Sequence, residues 1–147
     1  MSVVPIERLR LNKQIQFERS LLRELTLQEV QQDVAKSFQK LFHSDKVFET
    51  AIQEEAIEQA MESYLLGAEA SQFILTGEHR EDVVKRYQVE LNTISADFAD
   101  YLDYWHHATE SHSWLIQQAG TICEKFFTRW WMAGLERGER RRRLKLH

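Results

Sequence analysis

Five residues in the second half of the chain have side chains that bind transition metals. Asp103 and His106 are three residues apart, as are His107 and Glu110, so each pair would share one face of a helix. With His112 nearby, they form a carboxylate and imidazole set of the kind that holds zinc or iron. The spacing therefore raises the hypothesis of a metal-dependent enzyme.

A di-iron helical bundle would need more ligands than this cluster supplies. Such bundles use a carboxylate-x-x-His motif on each of two helices, together with two further glutamates. The second motif is missing, although the glutamates could come from Glu55, Glu58 or Glu62. The predicted helix also ends near His107, so a solvated helix end rich in polar residues is the better interpretation. We predict no metal and no cofactor.

The C-terminus is the most unusual segment, because four consecutive arginines repel one another unless solvent or an anion screens them. An anionic partner would account for them: RNA, DNA, anionic lipid or an acidic protein surface. Two intramolecular roles also stay open. Cations at a helix C-terminus oppose the helix dipole, and the tail could dock on the protein's own acidic residues. The residues assigned to anion binding are Arg137, Arg140, Arg141, Arg142, Arg143, Lys145 and Trp131.

Four aromatic residues precede these arginines and could stack on bases or lie among lipid headgroups. Phe126 and Trp130 lie on the apolar face of the predicted helix, which favours packing in the core. Phe127 and Trp131 lie beside that face, where they could be exposed. The aromatic group therefore supports a binding role only if its second pair reaches the surface.

The single cysteine, Cys123, lies in an apolar stretch, which favours a buried inert thiol over a nucleophile. The chain contains no GxSxG motif, no P-loop and no glycine-rich dinucleotide motif. It shows no signal peptide and no apolar run approaching the ~18 residues that a membrane span needs. These features favour a cytoplasmic protein without catalytic activity.

Charge is distributed unevenly, although the net charge is only −4. Residues 41–124 carry 4 Lys/Arg and 16 Asp/Glu, whereas residues 125–147 carry 8 and 2. The length of 147 residues suits one domain, and 5 glycines with 1 proline leave few residues for turns. We therefore predict an all-α fold, with one helical-bundle domain over residues 1–136 and a basic tail over residues 137–147.

Hydrophobic spacing predicts about five helices. A shorter N-terminal pair covers residues 6–25 and 27–42, and a capping box formed by Thr26 and Glu29 begins its second member. Three long antiparallel helices follow, and their short connections make consecutive members antiparallel. Ser44 or Asp45 and Gly77 are the expected capping residues. The long helices cover residues 46–75, 79–107 and 112–137.

The predicted fourth helix has the most regular pattern, because its apolar residues are spaced alternately three and four apart. That spacing gives an a/d seam, which needs long partner helices in this chain or in a second copy. Gly120 destabilises the predicted fifth helix by about 1 kcal/mol relative to alanine. A close helix crossing would explain why a glycine is present there. The seam comprises Val84, Tyr87, Leu91, Ile94, Phe98, Tyr101 and Trp105.

Two stretches, Ala60–Ala68 (AMESYLLGA) and Trp130–Gly138 (WWMAGLERG), resemble an uncharacterised family of small helical proteins from Bacillus-type spore-forming bacteria. The resemblance implies a bacterial cytoplasmic protein and assigns no activity and no functional residue. Three hypotheses therefore stand: a non-catalytic interaction or regulatory protein whose tail docks an anionic partner, a metal-binding bundle enzyme, and a self-associating structural protein.

Overall fold

A computed structural model describes residues 6–39, 46–108 and 114–144, which form six α-helices and no strand. Side chains are described for residues 6–39, 49–105 and 118–144. The prediction of an all-α protein is confirmed. The helices are α1 (Ile6–Glu24), α2 (Leu27–Phe38), α3 (Lys46–Leu75), α4 (Arg80–Arg86), α5 (Gln88–Ala108) and α6 (Trp114–Arg143).

Two of the predicted helix ends are stabilised by the expected local contacts. The Thr26 hydroxyl accepts a hydrogen bond from the Glu29 N–H at 3.2 Å, which caps α2. Gly77 adopts a φ of 102°, and its N–H donates to the Ile74 carbonyl oxygen at 3.1 Å. A left-handed residue closes α3 in this way, and glycine adopts that conformation without steric cost. Ser44 and Asp45 lie outside the described residues.

The helix predicted over residues 79–107 is divided into α4 and α5. The Tyr87 N–H donates to the Val84 carbonyl oxygen at 3.2 Å, and this tight turn ends α4. The seam persists across the division, since Tyr87, Leu91 and Phe98 are buried against other helices of the same chain. Side-chain periodicity does not detect a backbone change at one residue, which is why the sequence predicts one helix fewer.

The two helices of 30 residues each, α3 and α6, make the most extensive contact in the described part of the chain. They run in the same direction, because Tyr64 lies against Gly134 while Ser71 lies against Gly138 and Arg142. α5 runs antiparallel to α3, with the Tyr101 hydroxyl 3.4 Å from the Ala51 carbonyl oxygen. In such an up-down-up arrangement the first and last long helices are parallel neighbours.

Small residues bring the backbones of α3 and α6 into direct contact. A Cβ at Gly67 would overlap the Trp131 carbonyl oxygen, and a Cβ at Gly134 would overlap the Tyr64 carbonyl oxygen. At Gly138 it would meet the Ser71 hydroxyl at 2.8 Å. The two stretches that carry the family resemblance therefore face each other, and their glycines permit a crossing that a side chain would block.

Gly120 has no such role, because a Cβ there would meet no atom within 4 Å. The prediction that a close crossing explains this glycine is wrong. The crossing lies further along α6, at Gly134 and Gly138, which are four residues apart and so share one face of the helix. Regular spacing of small residues marks such a crossing, whereas an isolated glycine does not.

Aromatic rings fill the core between α2, α5 and α6. The Phe38 ring centroid lies 4.9 Å from that of Phe126 and 5.3 Å from that of Phe98, both edge-to-face. Phe127 packs on Phe98 at 5.4 Å in the same geometry. Edge-to-face pairs add to the energy of burial because the ring edge is positive and the face negative. This cluster holds the N-terminal pair against the long helices.

The segment from Phe17 to Phe38 runs antiparallel to α6. Asp33 pairs with Arg129, Glu29 with Arg137 and Glu24 with Arg141, at 2.9, 3.2 and 3.2 Å. These pairs step backward along α6 as the N-terminal segment advances. The start of α1 therefore points toward the C-terminal end of α6, where the predicted anion-binding residues lie.

Candidate functional site: the C-terminal end of α6

The consecutive arginines belong to a helix. α6 extends to Arg143, six residues beyond its predicted end at 137. The predicted boundary between the helical domain and the basic tail therefore lies within this helix. Cations in the last turn interact favourably with the negative end of the helix dipole, which stabilises this extension. The basic tail is therefore helical as far as Arg143, and Lys145 lies outside the described residues.

Three of the predicted anion-binding arginines are partly buried and contact other helices. Arg141 is 15% exposed and pairs with Glu24 at 3.2 Å, and Arg137 is 25% exposed and pairs with Glu29. The Arg142 Nε donates to the Ser71 hydroxyl at 2.8 Å, and its guanidinium lies 4.1 Å from the centre of the Phe17 ring.

Burial lowers the pKa of the Arg142 guanidinium, because the charged form is less favourable away from water. The nearby Glu69 and Tyr87 oppose this shift. Together with Arg137 and Arg141, Arg142 holds α6 against α1, α2 and α3. The anionic partners of Arg137 and Arg141 are Glu29 and Glu24 of the N-terminal helices, so this part of the tail docks on acidic residues of its own chain.

Arg140 and Arg143 differ from the other three, because their side chains are 61% and 58% exposed. Arg140 lies 3.8 Å from Glu24, and Arg143 pairs with Glu139 on its own helix at 2.9 Å. Exposed pairs of this kind contribute about 0 to 1 kcal/mol, since water competes for both charges. These two guanidiniums can therefore exchange their partners for an external anion.

The half-buried pair of Glu24 with Arg141 gives a stability prediction. We expect Glu24→Gln to lower the free energy of unfolding by about 1 to 2 kcal/mol, because it leaves a largely covered guanidinium without its counter-charge. Glu136→Gln is the matched control, since Glu136 is 61% exposed and pairs with Arg80 at the surface. It should change the free energy by less than about 0.5 kcal/mol.

Urea unfolding of the two variants tests this prediction. The loss caused by Glu24→Gln should persist at high salt, because partly buried pairs are screened less than exposed ones. Equal effects of the two substitutions would show that the Glu24 pair has no structural importance.

The aromatic residues upstream of the arginines are not available for stacking. Phe126, Phe127 and Trp131 have no accessible surface, and Trp130 is 6% exposed. The expectation that Phe127 and Trp131 could be exposed is wrong, because α5 and the turn before it cover that side of α6, with Phe98 packed on Phe127. Trp131, although assigned to anion binding, packs on Tyr87 at 5.7 Å within the core.

The histidines of the proposed metal cluster lie where the structure describes no side chain. Asp103 is half-buried on α5, while Glu110 and His112 fall outside the described residues. Within residues 6–39, 49–105 and 118–144, no group of three or more His, Cys, Asp or Glu side chains could hold a metal ion. The cluster stays a sequence-based hypothesis.

Cys123 is fully buried, and burial raises the pKa of its thiol to about 12, with a smaller contribution from Glu124. A thiol reagent at neutral pH should therefore react about a hundredfold or more slowly with the folded protein than with the protein in denaturant. Stopped-flow labelling measures this ratio. Equal rates would mean that Cys123 is accessible in the fold.

The same shift gives a pH dependence of stability. Below pH 9.0, which is the ordinary pKa of a thiol, Cys123 is neutral in both the folded and the unfolded chain. Its full contribution to the free energy of unfolding is present there. As the pH rises toward 12, only the unfolded thiol ionises, so stability falls by about 1.4 kcal/mol per pH unit. In Cys123→Ala this component should be missing from the unfolding free energy measured over that range.

None of the helices in the described ranges has a stretch that is long and apolar enough to cross a bilayer. The α5 seam, which raised the hypothesis of self-association, packs on α3 and α6 of its own chain.

Comparison with known proteins identifies the family. The sequence matches the family described as protein of unknown function (DUF2521) over residues 1–147. The chain belongs to the DUF2521 family. A curated relative, the uncharacterised protein YbaK of Bacillus subtilis (strain 168), is 30% identical over 140 residues, covering 91% of this chain and 90% of the relative. No solved structure matches. The resemblance to a Bacillus-type family is confirmed.

Proposed function

We propose that this DUF2521 protein is a non-catalytic interaction protein, which binds an anionic partner through the exposed arginines at the end of α6. The observation that carries the proposal is the division of the arginines into two sets. Arg137, Arg141 and Arg142 are used by the fold, whereas Arg140 and Arg143 remain mostly exposed. Guanidinium groups that stability does not require are well suited to bind carboxylate or phosphate.

The distribution of charge supports an anionic partner over a cationic one. Exposed acidic residues on α3 and α5, such as Glu54, Glu58 and Asp100, lie toward the end of the molecule where Tyr101 contacts Ala51. The exposed arginines lie toward the other end, where Glu136 is exposed as well. An uneven distribution of charge orients a molecule as it approaches a charged partner and raises the association rate at low salt.

A substitution tests this proposal better than a deletion. Deleting residues 137–147 would remove the contacts of Arg137, Arg141 and Arg142, and so would confuse binding with stability. The double variant Arg140→Gln/Arg143→Gln leaves those contacts in place. Lys85→Gln/Lys125→Gln is the matched control, because both lysines are exposed elsewhere and the change in net charge is the same.

Four immobilised probes distinguish the anionic classes: RNA, DNA, anionic vesicles and polyglutamate. We expect the intact chain to bind at least one of them at low salt, and the arginine variant to bind it roughly tenfold or more weakly. Affinity purification from the native cell with the same pair of variants should then enrich a partner only with the control. If no probe binds, or both variants bind alike, the proposal fails.

A cytoplasmic location remains a prediction from the sequence, and so does the possibility of a homo-oligomer.

A further inference from the structure

The first half of α1 projects beyond the rest of the molecule. Phe17 is the first buried residue of α1, and it contacts Arg142, which is near the end of α6. α1 meets the last turns of α6 between Phe17 and Glu24, and residues 6–16 precede these contacts and contain no buried side chain. α3 ends at the same level, since its Ser71 lies against Gly138 and Arg142. At 1.5 Å per residue this projecting segment, residues 6–16, is roughly 16 Å long.

Aliphatic side chains on the projecting segment are open to solvent. Ile6 is 68% exposed, Leu11 59%, Leu9 49% and Ile15 38%. At the adjoining end of α6, Leu144 is 61% exposed. So many exposed aliphatic residues at one end of a small protein indicate a contact surface, because single exposed apolar residues are common but groups of them are not.

The same surface is basic. Arg8, Arg10 and Lys13 are exposed on the projecting segment, where Glu7 is the only acidic residue. Arg142 reaches Phe17 at the inner end of this segment, and the exposed Arg143 follows it in the chain. The outward end of α1 is its N-terminal end, which is the positive end of the helix dipole.

We propose that this surface docks on an anionic lipid bilayer, an inference that rests on the proposed anionic partner and names its class. Cations that attract lipid phosphates, interleaved with aliphatic side chains that enter the acyl boundary, are what an interfacial helix requires. The long stems of arginine and lysine let their charges remain among the headgroups while neighbouring leucines go deeper.

The aliphatic residues lie on two sides of α1. Ile6 and Leu9 continue the side that carries Phe17 and Leu21, whereas Leu11 and Ile15 lie on the opposite side. A helix that is apolar on both sides fits insertion of its tip among headgroups better than a flat orientation. The bundle then stands on the bilayer with the exposed acidic residues of the first half of α3, such as Glu54 and Glu58, directed away.

Nucleic acid fits this surface less well. Single-stranded binding depends on exposed aromatic rings, and in the described residues the largely exposed ring is that of Tyr104. Tyr104 lies toward the opposite end of the molecule, three residues beyond Tyr101, which contacts Ala51 near the start of α3. A symmetric contact between two copies of this surface is also unfavourable, because it would bring arginines of both copies together.

Vesicle sedimentation with the full chain tests the inference. The probes are vesicles of phosphatidylcholine alone and vesicles in which phosphatidylglycerol is about a third of the lipid. We expect binding to the anionic vesicles only, weakening as salt rises. Leu9→Gln/Leu11→Gln should reduce partitioning about tenfold or more, while Leu27→Gln, an equally exposed leucine on α2, should leave it unchanged.

Charge is tested in the same way. Arg8→Gln/Lys13→Gln should reduce partitioning roughly thirtyfold, and Lys85→Gln/Lys125→Gln should not. Circular dichroism checks that each variant stays folded, which is expected because all the substituted side chains are exposed.

The outcomes separate the two proposals. Binding to RNA, DNA or polyglutamate without binding to anionic vesicles would overturn the lipid inference and leave the anionic-partner proposal standing. Equal binding to neutral and anionic vesicles would also overturn it. So would salt-sensitive head-to-tail self-association without vesicle binding, seen by sedimentation velocity as growth in mass. Failure of every probe would remove both proposals.

Discussion

Gly134→Ala is expected to lower the free energy of unfolding by about 3 kcal/mol or more. The new methyl group would overlap the Tyr64 carbonyl oxygen, and the nearest atoms also include the Ala68 nitrogen. Backbone atoms of a packed helix cannot move aside as a flexible side chain can, so α3 and α6 would have to separate along their most extensive contact. Guanidinium or urea unfolding measures the loss.

Gly120→Ala is the matched control, since it makes the same chemical change on the same helix in open space. Alanine favours helix by up to about 1 kcal/mol over glycine, so this variant should be slightly more stable than the parent. Opposite signs for the two substitutions are the expected result. If Gly134→Ala were as harmless as Gly120→Ala, the close crossing of α3 and α6 would be refuted.

Trp131→Ala should be as damaging, with a loss of about 3 to 5 kcal/mol, because it opens a large cavity between Tyr87 and Leu135. Trp131→Phe should cost much less, since it keeps a ring in place and removes a buried indole N–H that has no hydrogen-bond acceptor in the described structure. Thermal and urea unfolding give both values.

The control for this pair is Tyr104→Ala, which truncates an aromatic side chain that is 68% exposed on α5. Its effect should stay within about 0.5 kcal/mol. A Trp131→Ala variant that kept full stability but lost anion binding would instead restore the surface role that the sequence suggested. A core role for Trp131 thus predicts a loss of stability in Trp131→Ala, whereas a surface role predicts a loss of anion binding.

The fold could be predicted largely because helices leave local signals. Thr26 with Glu29 and Gly77 act through hydrogen bonds between residues close in sequence, so their roles are readable without the tertiary structure. The seam from Tyr87 to Phe98 was readable for the same reason, since periodicity depends on local helix geometry. The core face of α3 was harder, because it consists mostly of Ala, Ser and Gly, whereas the more apolar Ile57 and Met61 are only half-buried.

The candidate site was less predictable, because a row of arginines is the same in sequence whether its members are paired or free. Glu24 lies more than a hundred residues from Arg141, and only the antiparallel course of α1 beside α6 brings them to 3.2 Å. The exposed leucines of α1 have the same origin. Nothing in their spacing reveals that α6 ends before it reaches them.

The sequence by itself determined that this protein is helical, where most of its helices begin and end, and that its C-terminal segment is strongly basic. The helical properties follow from hydrogen bonds and side-chain periodicity within one helical turn, and the charge follows from composition alone. Only the tertiary structure decided which arginines are used by the fold, that Trp131 is in the core, and that residues 6–16 leave their aliphatic side chains exposed. The physical reason is that burial and pairing depend on which distant helix lies alongside, and here glycine contacts between α3 and α6 set that arrangement.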